Sequence, residues 1–137
     1  RSPQQQLKER NETLRFCTAI NCMDGRVQVP VIQYLRDRFD ADYVDVVTEP
    51  GPNRILVERA NAPALESIDR RVTISVEEHG SVGIAVVGHH DCAGNPASEE
   101  EQRQHTMSAV RRVSDRWQRV PVIGLWVDEN WKVSELT

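Results

Sequence analysis

The run Gly83-Ile84-Ala85-Val86-Val87-Gly88 contains no side chain that prefers water. A strand with one wet face alternates polar and apolar residues, so an unbroken run suits a strand covered on both faces. In a chain of 137 residues that condition points to a parallel sheet with helices on either side. The flanking segments read the same way. Arg15 to Ile20, Tyr43 to Thr48 and Val120 to Val127 are short apolar runs rich in β-branched residues. The first ends at Asn21, the second is closed by Pro50-Gly51-Pro52, and Pro121 opens the last, where a missing N–H does least harm.

Helical spacing fills the intervals. Val27 to Phe39 predicts a helix with Pro30 in its opening turn. Leu65, Ile68, Val72, Val76 and His79 share one face of a second, with Gly80 as its stop. Met107, Val110, Val113 and Trp117 form a third stripe, preceded by Ser98 and Glu101 in capping-box spacing. The expected fold is α/β, a central mostly parallel sheet of four to five strands flanked by helices and joined by right-handed crossovers. Residues 1–14 read as an N-terminal arm, helical and polar from Gln4 to Glu12, and residues 15–137 as a single domain.

Three cysteines cannot close a disulfide framework, which leaves packing, metal binding or chemistry for them. Lys and Arg total 17 against 21 Asp and Glu, and a net charge of −4 argues against a nucleic-acid partner. No apolar run is long enough to span a bilayer, so no membrane partner is expected. The opening Arg-Ser-Pro-Gln-Gln-Gln carries no apolar signal core, and the expected location is cytoplasmic.

Open parallel sheets bind ligands beyond the carboxyl ends of their strands. The first strand is followed by Asn21-Cys22-Met23-Asp24-Gly25-Arg26, and the third by Gly88-His89-His90-Asp91-Cys92-Ala93-Gly94-Asn95-Pro96. Two thiolates and an imidazole from adjacent strand ends suit zinc, and three protein ligands with a fourth position open is the catalytic arrangement. Asp24 and Arg26 would flank the open position as an anion and its neutralising partner. Other candidates have plainer readings. Cys17 is expected in the core, His79 at helix-end carbonyls, His105 at the surface, and Trp117, Trp126 and Trp131 in the core or a subunit interface.

Cys22-x-Asp24-x-Arg26 followed by His89-x-x-Cys92 resembles the zinc signature of the β-class carbonic anhydrases, of which this chain would be a short, divergent member. The resemblance implies Zn2+ held by Cys22, His89 and Cys92, with water or hydroxide in the fourth position. It implies catalytic roles for Asp24, which accepts a hydrogen bond from the zinc-bound hydroxide, and for Arg26, which holds Asp24 off the metal. The implied reaction is reversible hydration of carbon dioxide to bicarbonate, and the implied assembly is a homodimer or dimer-based oligomer. Thr48-Glu49-Pro50-Gly51-Pro52-Asn53 departs from the Arg-Asn-Ala-Gly-Asn-like stretch that many members carry there. Glu49 would repel an anionic product, or serve as an extra proton acceptor or metal contact. Glu49, Gly51, His90 and Asp91 are therefore candidates for groups behind the ligands or lining the substrate pocket. Two alternatives go with this departure: a zinc hydrolase of carbonyl sulfide or carbon disulfide, and a non-catalytic zinc protein whose fourth position is closed by Glu49 or Asp24.

Overall fold

The computed structural model describes residues 2, 3 and 14–137. Five strands form one sheet: β1 (Phe16–Cys22), β2 (Tyr43–Glu49), β3 (Ile84–His89), β4 (Val122–Val127) and β5 (Val133–Leu136). Their order is β2-β1-β3-β4-β5. The first four are mutually parallel, and β5 runs antiparallel to β4. Among the described residues four α-helices accompany them: α1 (Gln28–Arg38), α2 (Pro52–Glu58), α3 (Ala62–Thr73) and α4 (Glu99–Arg116). The expected α/β fold, with its mostly parallel sheet, is the one observed.

Both faces of the sheet are covered, as the unbroken run in β3 requires. Ala85 and Val87 pack with Val27, Val31, Leu35 and Phe39 around α1. Ile84 and Val86 point the other way, against Leu56, Ile68, Val72, Val110, Val113 and Trp117 from α2, α3 and α4. Each such aliphatic side chain contributes roughly 1.5–3 kcal/mol on full burial. Cys17 is fully buried in the α1-side core, and burial, followed by the charge of Asp45, pushes its thiol up to about 11. α4 begins at the anticipated cap: the Ser98 hydroxyl accepts from the Glu101 N–H, an interaction worth about 1 kcal/mol.

Four local features differ from the sequence reading. β1 continues through Asn21 to Cys22, paired throughout with β2, so Cys22 sits on the last rung of the strand. Pro50-Gly51-Pro52, expected only to close the second strand, leads into α2; Pro52 occupies its first turn, and seven residues are too few to show a helical period. The long second helix is α3 continued by a π-helical turn, Ile74–Glu78, rather than one uniform α-helix. His79, at its end, meets Asp45 of β2 through Nδ1 at 2.6 Å instead of capping carbonyls. The anticipated arm from Gln4 to Glu12 lies outside the described residues. Among the described residues no helix is long and apolar enough to cross a membrane.

The chain leaves β1 for β2 on one side and later returns to place β3 on the other. Strand order therefore reverses between β1 and β3. Such a switch point opens a crevice at the carboxyl ends of the two strands. Cys22 closes one of those strands and His89 the other.

Candidate metal centre

Cys22, His89 and Cys92 are all buried, and their potential ligand atoms lie within 4.8 Å of one another. The two sulfurs are 3.9 Å apart. Cys92 reaches the cluster because the chain turns sharply after β3, with Asp91 in the left-handed region at φ 57°. Aspartate tolerates that conformation better than most residues.

The imidazole of His89 is oriented by its own neighbour. Its Nδ1 donates to the His90 carbonyl at 2.7 Å, which leaves the lone pair on Nε2. Nε2 is buried and has no hydrogen-bond partner. A buried polar atom left unpaired costs about 1–3 kcal/mol, so a native chain ordinarily gives it something to bind. Here the lone pair belongs to a donor set of two thiols and one imidazole, and that set fits zinc.

Electrostatics around the sulfurs favours a single thiolate, on Cys22. The hydrogen bond from Cys92, opposed by burial, holds the Cys22 thiol below its usual range, and His89 and the backbone N–H groups of Gly51 and Asp24 add to the effect. The same contact raises Cys92, against the smaller effect of N–H groups of Asn95 and Gly94. Burial disfavours a charged His89, yet Cys22 and the His90 carbonyl outweigh it and raise its pKa. Cys22 thus acts on the charge of His89 although its geometry makes no hydrogen bond to Nε2.

Those backbone donors are available because two glycines let their loops touch. A Cβ on Gly51 would lie 2.6 Å from the carbonyl carbon of Gly94, and one on Gly94 would strike the Pro50 peptide. Gly51 also has φ 61°. The loop after β2 and the loop after β3 therefore meet backbone to backbone, directly behind the sulfurs.

Asp24 and Arg26 form the anticipated pair. Arg26 donates its backbone N–H to Oδ1 at 2.9 Å, Nη2 to Oδ2 at 2.7 Å, and Nε to both oxygens at 3.0 and 3.2 Å. The guanidinium is fixed from three other sides. It meets the Asp91 carboxylate at 3.3 Å, the Asp91 carbonyl at 3.2 Å and the face of Trp131 at 4.5 Å. Hydrogen bonding to Arg26, partly opposed by burial, lowers the Asp24 carboxyl to about 2. The sign follows: the pair contributes stability in full above the ordinary carboxylate range and loses it as pH falls toward 2. Denaturant unfolding of wild type and Asp24→Asn is expected to show a stability gap at pH 7 that closes by pH 2. A gap independent of pH would contradict this.

The remaining site candidates divide. Gly51 supplies an N–H toward the Cys22 sulfur. Asp91 holds Arg26, and His90 contributes its carbonyl, while its ring is exposed and edge-on to Trp131. Glu49 pairs with Cys22 in register, but its carboxylate is engaged by Arg71 of α3 at 2.6 Å and is absent from the ligand cluster. Its charge is thereby neutralised, which removes the expected repulsion. His105 is half-buried rather than superficial, its Nδ1 accepting from the Asn95 amide at 3.0 Å. Sequence reasoning missed Gln28, whose Nε2 donates to the carbonyls of Cys22 and Asp24 at 2.7 and 2.8 Å. No signal marks it, because a glutamine in a first helical turn is unremarkable until the loop folds over it. A cleft of about 350 Å³, bordered by His90, Asp91, Cys92, Ser98, Gln102 and Trp126, adjoins the cluster. The larger cleft, about 550 Å³ between α2, α3 and α4, touches none of these site residues.

The sheet order and flanking helices define the fold of the β-carbonic anhydrases. The chain is similar to a tetrameric β-carbonic anhydrase of Sordaria macrospora, with a TM-score of 0.59 and 11% identity over 97% of this chain and 90% of that one. A carbonic anhydrase of Glaciozyma antarctica gives a TM-score of 0.58 and 14% identity, covering 88% of this chain and 81% of that one. The β-carbonic anhydrase CafA of Aspergillus fumigatus gives 0.52 and 12%, covering 97% and 85%. At such identities the likeness speaks for the fold. Comparison with curated protein sequences returned no significant match. Residues 12–137 match the family described as "Putative carbonic anhydrase", and the chain belongs to that family.

Proposed function

We propose that the protein is a zinc lyase that hydrates carbon dioxide reversibly to bicarbonate, with Cys22, His89 and Cys92 as the metal ligands. The observation that carries this reading is the buried, unpartnered Nε2 of His89 facing two thiols at the switch point of the sheet. A zinc ion held by these three residues would supply a nucleophile at neutral pH by acidifying water. The two thiolates weaken that acidification relative to neutral ligands, so the protein's own acceptors matter more.

Asp24 is that acceptor. Arg26 makes four hydrogen bonds to that carboxylate from three donors, its Nε–H shared between the two oxygens, and so fixes the orientation of Asp24. Held ionised throughout the neutral range, Asp24 would accept a hydrogen bond from the attacking group and so orient its lone pair toward the substrate carbon. Arg26 keeps Asp24 from collapsing onto the ligand cluster, and Trp131 and Asp91 keep Arg26 in place. Closure of the fourth position by Glu49 or Asp24 finds no support, since each carboxylate is engaged by an arginine.

Assembly as a dimer or dimer-based oligomer belongs to the same proposal. Met23 and Val29, exposed at 63% and 61%, flank the Asp24–Arg26 turn and are apolar side chains that a second subunit would cover.

Stopped-flow hydration with a pH indicator, on protein of known zinc content, tests the reaction. Wild type is expected to exceed the buffer rate, and Asp24→Ala to fall by about 10²-fold with zinc retained. No rate above buffer with zinc bound would refute the lyase reading, and sulfide release from carbonyl sulfide in its place would identify the hydrolase.

A further inference from the structure

Behind the ligand cluster runs a chain of buried polar side chains that the reaction above does not use. Gln102 of α4 is 2% exposed and donates Nε2 to the His89 carbonyl at 2.9 Å. Its oxygen accepts from Asn53 Nδ2 at 3.3 Å, and that same Nδ2 reaches the Thr106 hydroxyl at 3.1 Å. Asn53 Oδ1 in turn accepts from Asn95 Nδ2 at 3.2 Å. The network passes over β3 because residue 88 is glycine: a Cβ there would lie 2.6 Å from the Thr106 hydroxyl and 3.1 Å from the Asn53 amide. Four polar groups so deeply buried are costly unless fully paired, and a fully paired network is rigid.

The position of Gln102 in that network is specific. The peptide between His89 and His90 is gripped at both ends, its carbonyl by Gln102 and its N–H by the Val127 carbonyl at 2.8 Å. The following carbonyl, on His90, is the one that receives His89 Nδ1. Rotation of the first peptide would carry the second with it and swing the imidazole away from the sulfurs. Asn95, one bond beyond Asn53, presents its backbone N–H to Cys92.

We propose that Gln102, buttressed by Asn53, is a positioning residue for the metal centre: it fixes the His89–His90 peptide and through it the direction of the His89 Nε2 lone pair. The proposal rests on the reading of Cys22, His89 and Cys92 as metal ligands. Loss of the amide leaves the ligands in place but misdirects one of them, so affinity and coordination geometry change while the fold persists.

Cobalt(II) is the probe, titrated into the metal-free 137-residue chain and read by thiolate-to-metal and d–d absorption. Gln102→Met keeps side-chain length and removes both hydrogen bonds; it is expected to weaken cobalt binding about 10-fold or more and to alter the d–d envelope. Asn53→Ala is expected to do the same more weakly. Val113→Ala, a buried change on the same helix, serves as the structural control: its thermal midpoint falls, but its cobalt affinity and spectrum stay wild type. Wild-type affinity and spectrum in Gln102→Met, or an equal loss in Val113→Ala, would overturn the proposal and leave the ligand assignment standing. A wild-type chain that binds no cobalt would overturn both.

Discussion

Cys92→Ser is expected to strip the centre of zinc and reduce carbon dioxide hydration to the buffer rate. A serine hydroxyl does not ionise in the range where a thiol does, and it replaces a soft anionic ligand by a hard neutral one. The loss in affinity should exceed the 10–100-fold typical of removing only a ligand's hydrogen-bond partner. The change also acts on the other sulfur, because the hydrogen bond from Cys92 is the largest influence lowering Cys22. Cys17→Ala is the matched control. Cys17 is equally buried, lies on the same strand as Cys22 and belongs to the α1-side core, so its loss costs stability and spares the metal. Elemental analysis after gel filtration decides the matter; wild-type zinc in Cys92→Ser would remove that residue from the ligand set.

The second large effect is expected from one methyl group. In Gly94→Ala the new Cβ would strike the Pro50 carbonyl carbon and lie 2.5 Å from the Gly51 nitrogen, both backbone atoms that cannot swing aside. Overpacking of this kind costs about 1–3 kcal/mol or more. At this chain length each kcal/mol lowers the thermal midpoint by about 4 °C. The displaced loop also carries the N–H groups that face the two sulfurs, so zinc retention should fall with stability. Gly25→Ala provides the contrast, since a Cβ there meets nothing within 4 Å. If Gly94→Ala matched wild type in midpoint and zinc content, the two loops would not be in the contact described.

Much of this architecture is legible in the sequence because its signals are local. An apolar run such as Ile84 to Val87 names a doubly covered strand, and Ser98 with Glu101 names the start of α4. The spacing His89-x-x-Cys92 is equally local, since one turn presents both side chains. β5 and α2 escaped notice for the opposite reason: four and seven residues are too short for a periodic pattern, and both depend on neighbours for their pairing. The ion pair of Glu49 is not legible in the sequence because its partner, Arg71, is 22 residues away on α3.

What the sequence determined by itself is the set of groups available for chemistry: two cysteines and a histidine at strand ends, with an acid and an arginine two residues apart. Their chemical types suit a borderline-soft metal ion such as zinc. Only the tertiary structure decided how those groups are held. The strand order puts Cys22 beside His89, Gly51 and Gly94 let two backbones meet behind the sulfurs, and Arg71 neutralises Glu49. Gln102 reaches the His89 carbonyl across 13 residues of chain. Such contacts depend on distances of tenths of an ångström between remote segments, and a linear pattern carries residue type and spacing but not proximity.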